Sequence, residues 1–516
     1  MKQDDQLTSD RVPDEVEPRL NHRVVKGGFW VFALHISQQI LAAGRLVILG
    51  QLLAPGDFGL LGIALLIMAV LENFTQTGFS AALVQKKGNI KSYLNTAWTI
   101  GLIRAVILFG ILYFITPCVV RFFDQPDKPI DISQAVDIIR IMGISFLIGA
   151  FSNVTIVYFS KELEFHKQFV MQMSGTVVDI LVAVPIALIY KSVWALVLGS
   201  LAGNFVRIIL SYIIHPYRPR LELDKEKVKE LWGFGKWVFG SSLLGFLINQ
   251  GDDIVVGKVL GVVMLGYYQV AFRISNMPTT EITAVISGIT FPAYSKLQDD
   301  LPRLRRGYLK VIQLAAFLSF PIAGLIFVLA DDFTRIFMGQ KWMPMVATLQ
   351  VLTVWGLIRS LATVVSSPFA ALGQPKITTK ILLLKFVLLA ILIYPLTVRW
   401  GILGAAFAVV LNPLVVFPLM VYIALKLIRV RFVDMARLMV LPMLGMLIMA
   451  NVVVLFKGFI FAHSDTVYLS WLNIIYFSLS VIIGVLTYMG AMFFCDLKFD
   501  YGIRKILKEQ LVAIKS

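Results

Sequence analysis

Eleven ionisable side chains lie well inside apolar runs of this 516-residue chain: Arg45, Glu72, Arg104, Asp179, Arg207, Asp252, Asp253, Arg273, Glu281, Arg359 and Lys385. A charge at mid-bilayer costs about 2.5–3.5 kcal/mol on insertion scales, so such groups face a partner or a polar cavity. Their types suggest three kinds of chemistry. Arg104, Arg273 and Arg359 fall near the middle of three different runs. Guanidinium presents a fork of donors that suits phosphate oxygens, so a cluster of these arginines would neutralise an anionic headgroup. The plainer alternative is separate ion pairs with Glu72, Asp179 or Glu281. Glu72 and Glu281 occupy similar points in two runs, and a carboxylate at that depth, Asp179 included, could take a proton or Na⁺ and couple transport to an ion gradient. The third kind is a charge-pair gate. His35, Gln38, Ala42 and Arg45 recur at helical spacing on one face, and 207 positions later stand Ser242, Gly245, Asn249 and Asp252. Gln38 and Asn249 would line a path for polar cargo. Arg45 is expected to pair with Asp252 or Asp253 and close the outer end; the alternative has Arg45 reaching to headgroups and Asp252 capping a turn.

The elements that position these residues are membrane helices. The chain is 58% apolar and 15% charged, whereas a soluble domain carries about 25% charged residues. Apolar runs of about 20 residues, the length that crosses a bilayer, recur throughout. The pattern predicts fourteen spans: 26–52, 57–83, 93–115, 134–158, 168–190, 193–214, 232–256, 263–290, 309–330, 346–371, 377–398, 402–425, 435–456 and 471–495. Gly28-Phe29-Trp30-Val31-Phe32 returns as Gly235-Lys236-Trp237-Val238-Phe239, and the same offset joins Gly50 to Gly257 and Gly59 to Gly266. The expected organisation follows: a disordered tail (1–25), an N-lobe of spans 1–6 (26–214), a cytoplasmic linker (215–231), a C-lobe of spans 7–12 (232–426), an appended pair of spans (427–495) and a basic tail (496–516). With six spans per copy, the lobes are related by a pseudo-two-fold along the membrane normal, a plan used by transporters.

The net charge of +16 is a topology signal rather than a nucleic-acid signal. Lys86, Lys87 and Lys91, then Arg218, Arg220 and Lys225, then Arg303, Arg305 and Arg306 fall on one side. The positive-inside rule puts that side and both termini in the cytoplasm, and contact with anionic lipids accompanies it. Cys118 and Cys495 fall at opposite membrane faces and cannot bridge. The five histidines show no zinc spacing, so no metal or resident cofactor is expected. Gly251 to Val259 resembles a phosphate loop only faintly, with the wrong spacing and valine in place of the hydroxyl residue.

Several local motifs carry a resemblance. They are Leu53-Ala54-Pro55-Gly56-Asp57-Phe58-Gly59-Leu60-Leu61, Lys161-Glu162-Leu163-Glu164-Phe165, Phe291-Pro292-Ala293-Tyr294-Ser295-Lys296-Leu297-Gln298-Asp299-Asp300, Gly339-Gln340-Lys341-Trp342 and Trp355-Gly356-Leu357-Ile358-Arg359-Ser360. Together they resemble the polysaccharide transporter (Wzx-type) branch of the multidrug/oligosaccharidyl-lipid/polysaccharide exporter superfamily, near the colanic-acid exporters. The resemblance implies two six-helix lobes in a V around a cavity. It also implies flipping of an undecaprenyl-diphosphate-linked oligosaccharide across a bacterial inner membrane, with a glycan polymerase complex as a further partner. The competing readings are a cation-coupled drug exporter of the same superfamily and a membrane enzyme of glycan assembly. An enzyme would need converging catalytic groups on a sizeable outer loop, and the loops here are short.

Overall fold

The computed structural model describes residues 16–75, 91–156, 164–224, 245–276, 300–461 and 471–499, together with Phe159, Tyr294, Leu297, Tyr501 and Gly502. The described residues are almost wholly helical. Six helices form from the first half: α1 (Val16–Leu52), α2 (Pro55–Phe74), α3 (Lys91–Phe123), α4 (Ile132–Ala150), α5 (Phe165–Tyr190) and α6 (Trp194–Ile214). Then come α7 (245–260) and α8 (262–276). They are followed by α9 (Leu301–Phe333), α10 (Val346–Ala371), α11 (Pro375–Ile428), α12 (Phe432–Phe461) and α13 (Trp471–Phe499). Among the described residues, eleven helices are long and apolar enough to cross a membrane. In lipid no water can satisfy a bare peptide group, which is why apolar runs of this length close all their hydrogen bonds as helix.

The 54-residue α11 is two helices in succession. Trp400 and Gly401 leave helical geometry, Gly401 with φ +61°, a value that suits glycine. The legs 375–399 and 402–428 fold onto each other, and Asn412 Nδ2 donates across them to the Lys385 carbonyl at 2.6 Å. These legs match the expected spans 11 and 12. The expected spans 2, 4, 7 and 8 run partly outside the described residues, and the second copy of the sequence motif at 235–239 and Glu281 lie wholly outside them.

The chain forms two compact units. The first comprises residues 1–46, 68–116 and 137–241; the second comprises 47–67, 117–136 and 242–516. In the first, α5 and α6 pack through glycines: a Cβ on Gly175 would stand 2.8 Å from the Gly203 carbonyl oxygen. Small residues are how membrane helices come this close when burial from water gives no drive. The segment after α6 is stitched to α3. Tyr217 Oη donates to Asn95 Oδ1 at 2.7 Å, and Asn95 Nδ2 donates to Glu222 Oε2 at 2.9 Å.

The second unit has its main core where α9, α10 and α11 meet, around Tyr308, Phe369, Val416 and Ile428. A second cluster joins α12 and α13 to α9 through Met449, Val453 and Tyr488. There Lys457 on α12 forms an ion pair with Asp332 on α9.

Candidate functional site

Each unit contains a polar cavity at membrane depth. The one in the first unit has a volume of about 690 Å³. Helices α2, α3, α4, α5 and α6 supply its wall, which includes Glu72, Trp98, Arg104, Gln172, Asn204 and Arg207. Among the described residues neither arginine there is in salt-bridge contact with a carboxylate, though Glu72 lies near Arg104 and Asp179 near Arg207. Arg104 Nε donates to Thr75 Oγ1 and its Nη2 to the Glu72 carbonyl, both at 2.9 Å. Arg207 Nη1 donates to Asn204 Oδ1 at 2.8 Å. The Glu72 side chain is exposed, so its carboxylate and the two guanidinium groups face one polar space. Trp98 Nε1, Ser145 Oγ and Arg207 Nε are shut off from solvent without a hydrogen-bond partner.

The cavity of the second unit is smaller, about 230 Å³, and is lined among others by Asn249, Asp252, Trp355, Arg359, Lys385 and Asn412. Arg359 lies 4.9 Å from the Trp355 ring centroid, a cation–π distance, and its one hydrogen bond among the described residues is a long 3.4 Å contact to Asn276 Oδ1. Lys385 has no ion pair among the described residues. Buried Asp252 accepts from Tyr268 Oη at 2.6 Å through Oδ2, while Oδ1 is unpartnered.

The expected arginine cluster is therefore divided. Arg104 lines the first cavity and Arg359 the second, whereas Arg273 is exposed on α8 and lines neither. Asn249 lines the second cavity, with its Nδ2 donating to the Gly245 carbonyl at 2.7 Å. Gln38 is half-buried on α1 and lines neither cavity. Arg45 Nη2 meets Asp179 Oδ1 on α5 at 3.0 Å, inside the first unit; the expected gate pairing with Asp252 or Asp253 would join the two units and stands as a proposal. Equivalent faces of α1 and α7 find partners in their own bundles, Arg45 on α5 and Asp252 on α8. The same contact commits Asp179 to an ion pair. Lys385 and Arg207 carry as much of the cavities' charge as the arginines singled out from mid-depth. Their sequence signal was present, since both are cations inside spans, but spacing does not tell a cavity wall from an ion pair.

Residues 48–347 match the model of a family described as "Polysaccharide biosynthesis protein". The chain belongs to this family. The lipopolysaccharide biosynthesis protein WzxC of Escherichia coli is 24% identical over 399 residues, 77% of this chain and 79% of that protein. The teichuronic acid biosynthesis protein TuaB of Bacillus subtilis is 23% identical over 360 residues, 69% and 73% of the two chains. Among solved structures, the lipid II flippase MurJ in an inward closed conformation superposes with a TM-score of 0.70 at 16% identity, covering 90% of this chain and 99% of that one. An inward-facing multidrug transporter of the MATE family gives a TM-score of 0.59, covering 77% and 99%. The all-helical polytopic fold is thus one that exporters share, and the family is one of polysaccharide assembly.

Proposed function

We propose that this member of the family flips an undecaprenyl-diphosphate-linked oligosaccharide from the inner to the outer leaflet of a bacterial inner membrane, by alternating access, for surface polysaccharide assembly. Both termini lie in the cytoplasm, and a glycan polymerase complex takes the product. The carrying observation is where the unpaired cations sit. Arg104 and Arg207 line one cavity and Arg359 and Lys385 the other, and among the described residues none of the four is in salt-bridge contact with a carboxylate, although Glu72 and Asp252 share the two walls, whereas Arg45 is so paired. Leaving a cation unpaired in the membrane is costly, and an anionic headgroup arriving there offsets that cost.

A drug exporter with cationic cargo fits these walls poorly, and no enzymatic step is proposed. Glu72, whose carboxylate has no ion pair among the described residues, is the proposed coupling group for H⁺ or Na⁺; Glu281 remains a second candidate.

The test is mass spectrometry of polyprenyl-diphosphate-linked sugars from cells with and without the gene. Complete repeat units should accumulate in the deletion strain and clear on complementation. Unchanged lipid-linked sugars in a strain still making the glycan would sink the proposal.

A further inference from the structure

The helix ends remote from the N-terminus hold an arrangement that cargo binding does not use. The last carbonyls of a helix have no partner within it. At the end of α1, the carbonyls of Gln51 and Leu53 each accept from Lys341 Nζ at 2.7 Å, and that of Gly50 accepts from Trp342 Nε1 at 2.8 Å. At the end of α7, the Lys258 carbonyl accepts from Gln125 Nε2 at 2.6 Å and the Leu260 carbonyl from Lys128 Nζ at 3.4 Å. Positions 51 and 53 become 258 and 260 under the 207-residue offset of the repeat.

The side chains at the first of these positions reach back. Gln51 Nε2 donates to the Phe337 carbonyl at 2.9 Å, and Lys258 Nζ to the Phe122 carbonyl at 2.6 Å. Residues 125–128 join the third and fourth helices of the first copy, and residues 339–342 join those of the second. Each copy's loop thus caps the first helix of the other copy, and all of these residues belong to the second unit. Between the two grips, backbone meets backbone. A Cβ on Gly59 would stand 1.9 Å from the Val262 carbonyl oxygen, and one on its repeat partner Gly266 would stand 2.0 Å from that of Pro55.

We propose that this reciprocal grip is a latch across the far end of the repeat, that it must part before that end opens, and that its arms release in order, Gln125–Lys128 first and Lys341–Trp342 last. The arms differ in strength. Trp342 is fully buried, with Phe58 and Tyr267 edge-on at 5.2 and 5.8 Å, and Tyr267 Oη fastens the Lys341 carbonyl at 2.8 Å. The opposite arm has one short bond and one long one and no buried aromatic anchor within residues 125–128. The proposal rests on the transport reading only in calling this end outer.

A single reporter, Gly245→Cys in a Cys118→Ser, Cys495→Ser background, tests the latch; a side chain there meets open space. Its labelling by a membrane-impermeant maleimide is followed in intact cells, with inverted vesicles as the folding control. The parent should label slowly. Lys341→Ala should speed labelling about tenfold, Lys128→Ala less than threefold, and Lys341→Arg should return it towards the parent. Gly56→Cys with Val263→Cys, positions 3.5 Å apart from an added Cβ to a methyl, should cross-link on oxidation and abolish labelling until reduced. Fast labelling of the parent, failure to cross-link, or labelling that survives the cross-link overturns the latch; equal effects of the two lysines overturn the order. None of these readouts involves a lipid-linked sugar, so a mistaken cargo would leave them intact.

Discussion

Asp179 is held by Arg45 at 3.0 Å, with both side chains largely buried. Removing one partner leaves the other charge buried without its salt bridge, so Arg45→Ala should destabilise the protein by about 3 kcal/mol, and Arg45→Ala with Asp179→Ala should cost less than the two singles summed. Thermal unfolding in detergent reads both. Arg104 and Arg207 hydrogen-bond to neutral groups rather than to carboxylates. Alanine at either should cut flipping at least tenfold while leaving the unfolding temperature within a few degrees, and Arg104→Lys should recover part of the loss. If Glu72 couples an ion, Glu72→Gln should leave binding of the lipid-linked sugar intact and remove the dependence of flipping on the ion gradient, measured in vesicles with imposed gradients. The sequence made the charges legible, because each stood out against an apolar run. It did not give their partners: repeat equivalence states which environments are alike, not which residues face each other, and the contact of Arg45 with Asp179 has no counterpart in it.

Spans were legible from the length of apolar runs alone, and even the break in α11 falls between the expected spans 11 and 12. Prolines do not mark this break. Pro185, Pro321, Pro368, Pro413 and Pro418 all remain inside helices, while the sharp turn is made at Trp400 and Gly401. A proline costs one hydrogen bond and bends a helix; a glycine at positive φ reverses the chain. Helix approach was hidden as well, since glycines with and without neighbours look alike in sequence. Gly59→Ala should lower the unfolding temperature by several degrees, because its Cβ would clash with main chain, whereas Gly44→Ala, with nothing within 4 Å, should be neutral. Ultraviolet or fluorescence melts of the two variants separate these cases. Asn95 holds the segment after α6 through Tyr217 and Glu222. No spacing rule announces such a contact, because its partners lie more than 120 positions away.

At the scale of the molecule, the repeat was the most legible feature and the units the least. The sequence suggests two copies of equal standing. In the structure, residues 47–67 and 117–136 of the first copy belong to the same compact unit as the second copy. The basic segments predict one topology for the whole chain. A phosphatase fused after Ser516 should be inactive and a fluorescent protein there bright; the reverse pattern would refute the cytoplasmic placement of the termini.

The acceptors at positions 50, 51, 53, 258 and 260 are main-chain oxygens, which no amino-acid substitution removes. Only the donors can drift. One copy now meets these carbonyls with lysine and tryptophan, the other with glutamine and lysine. A duplicated chain can therefore lose nearly all resemblance between its loops and keep the bond pattern that the duplication created, because half of every bond is written in the backbone and is copied without error.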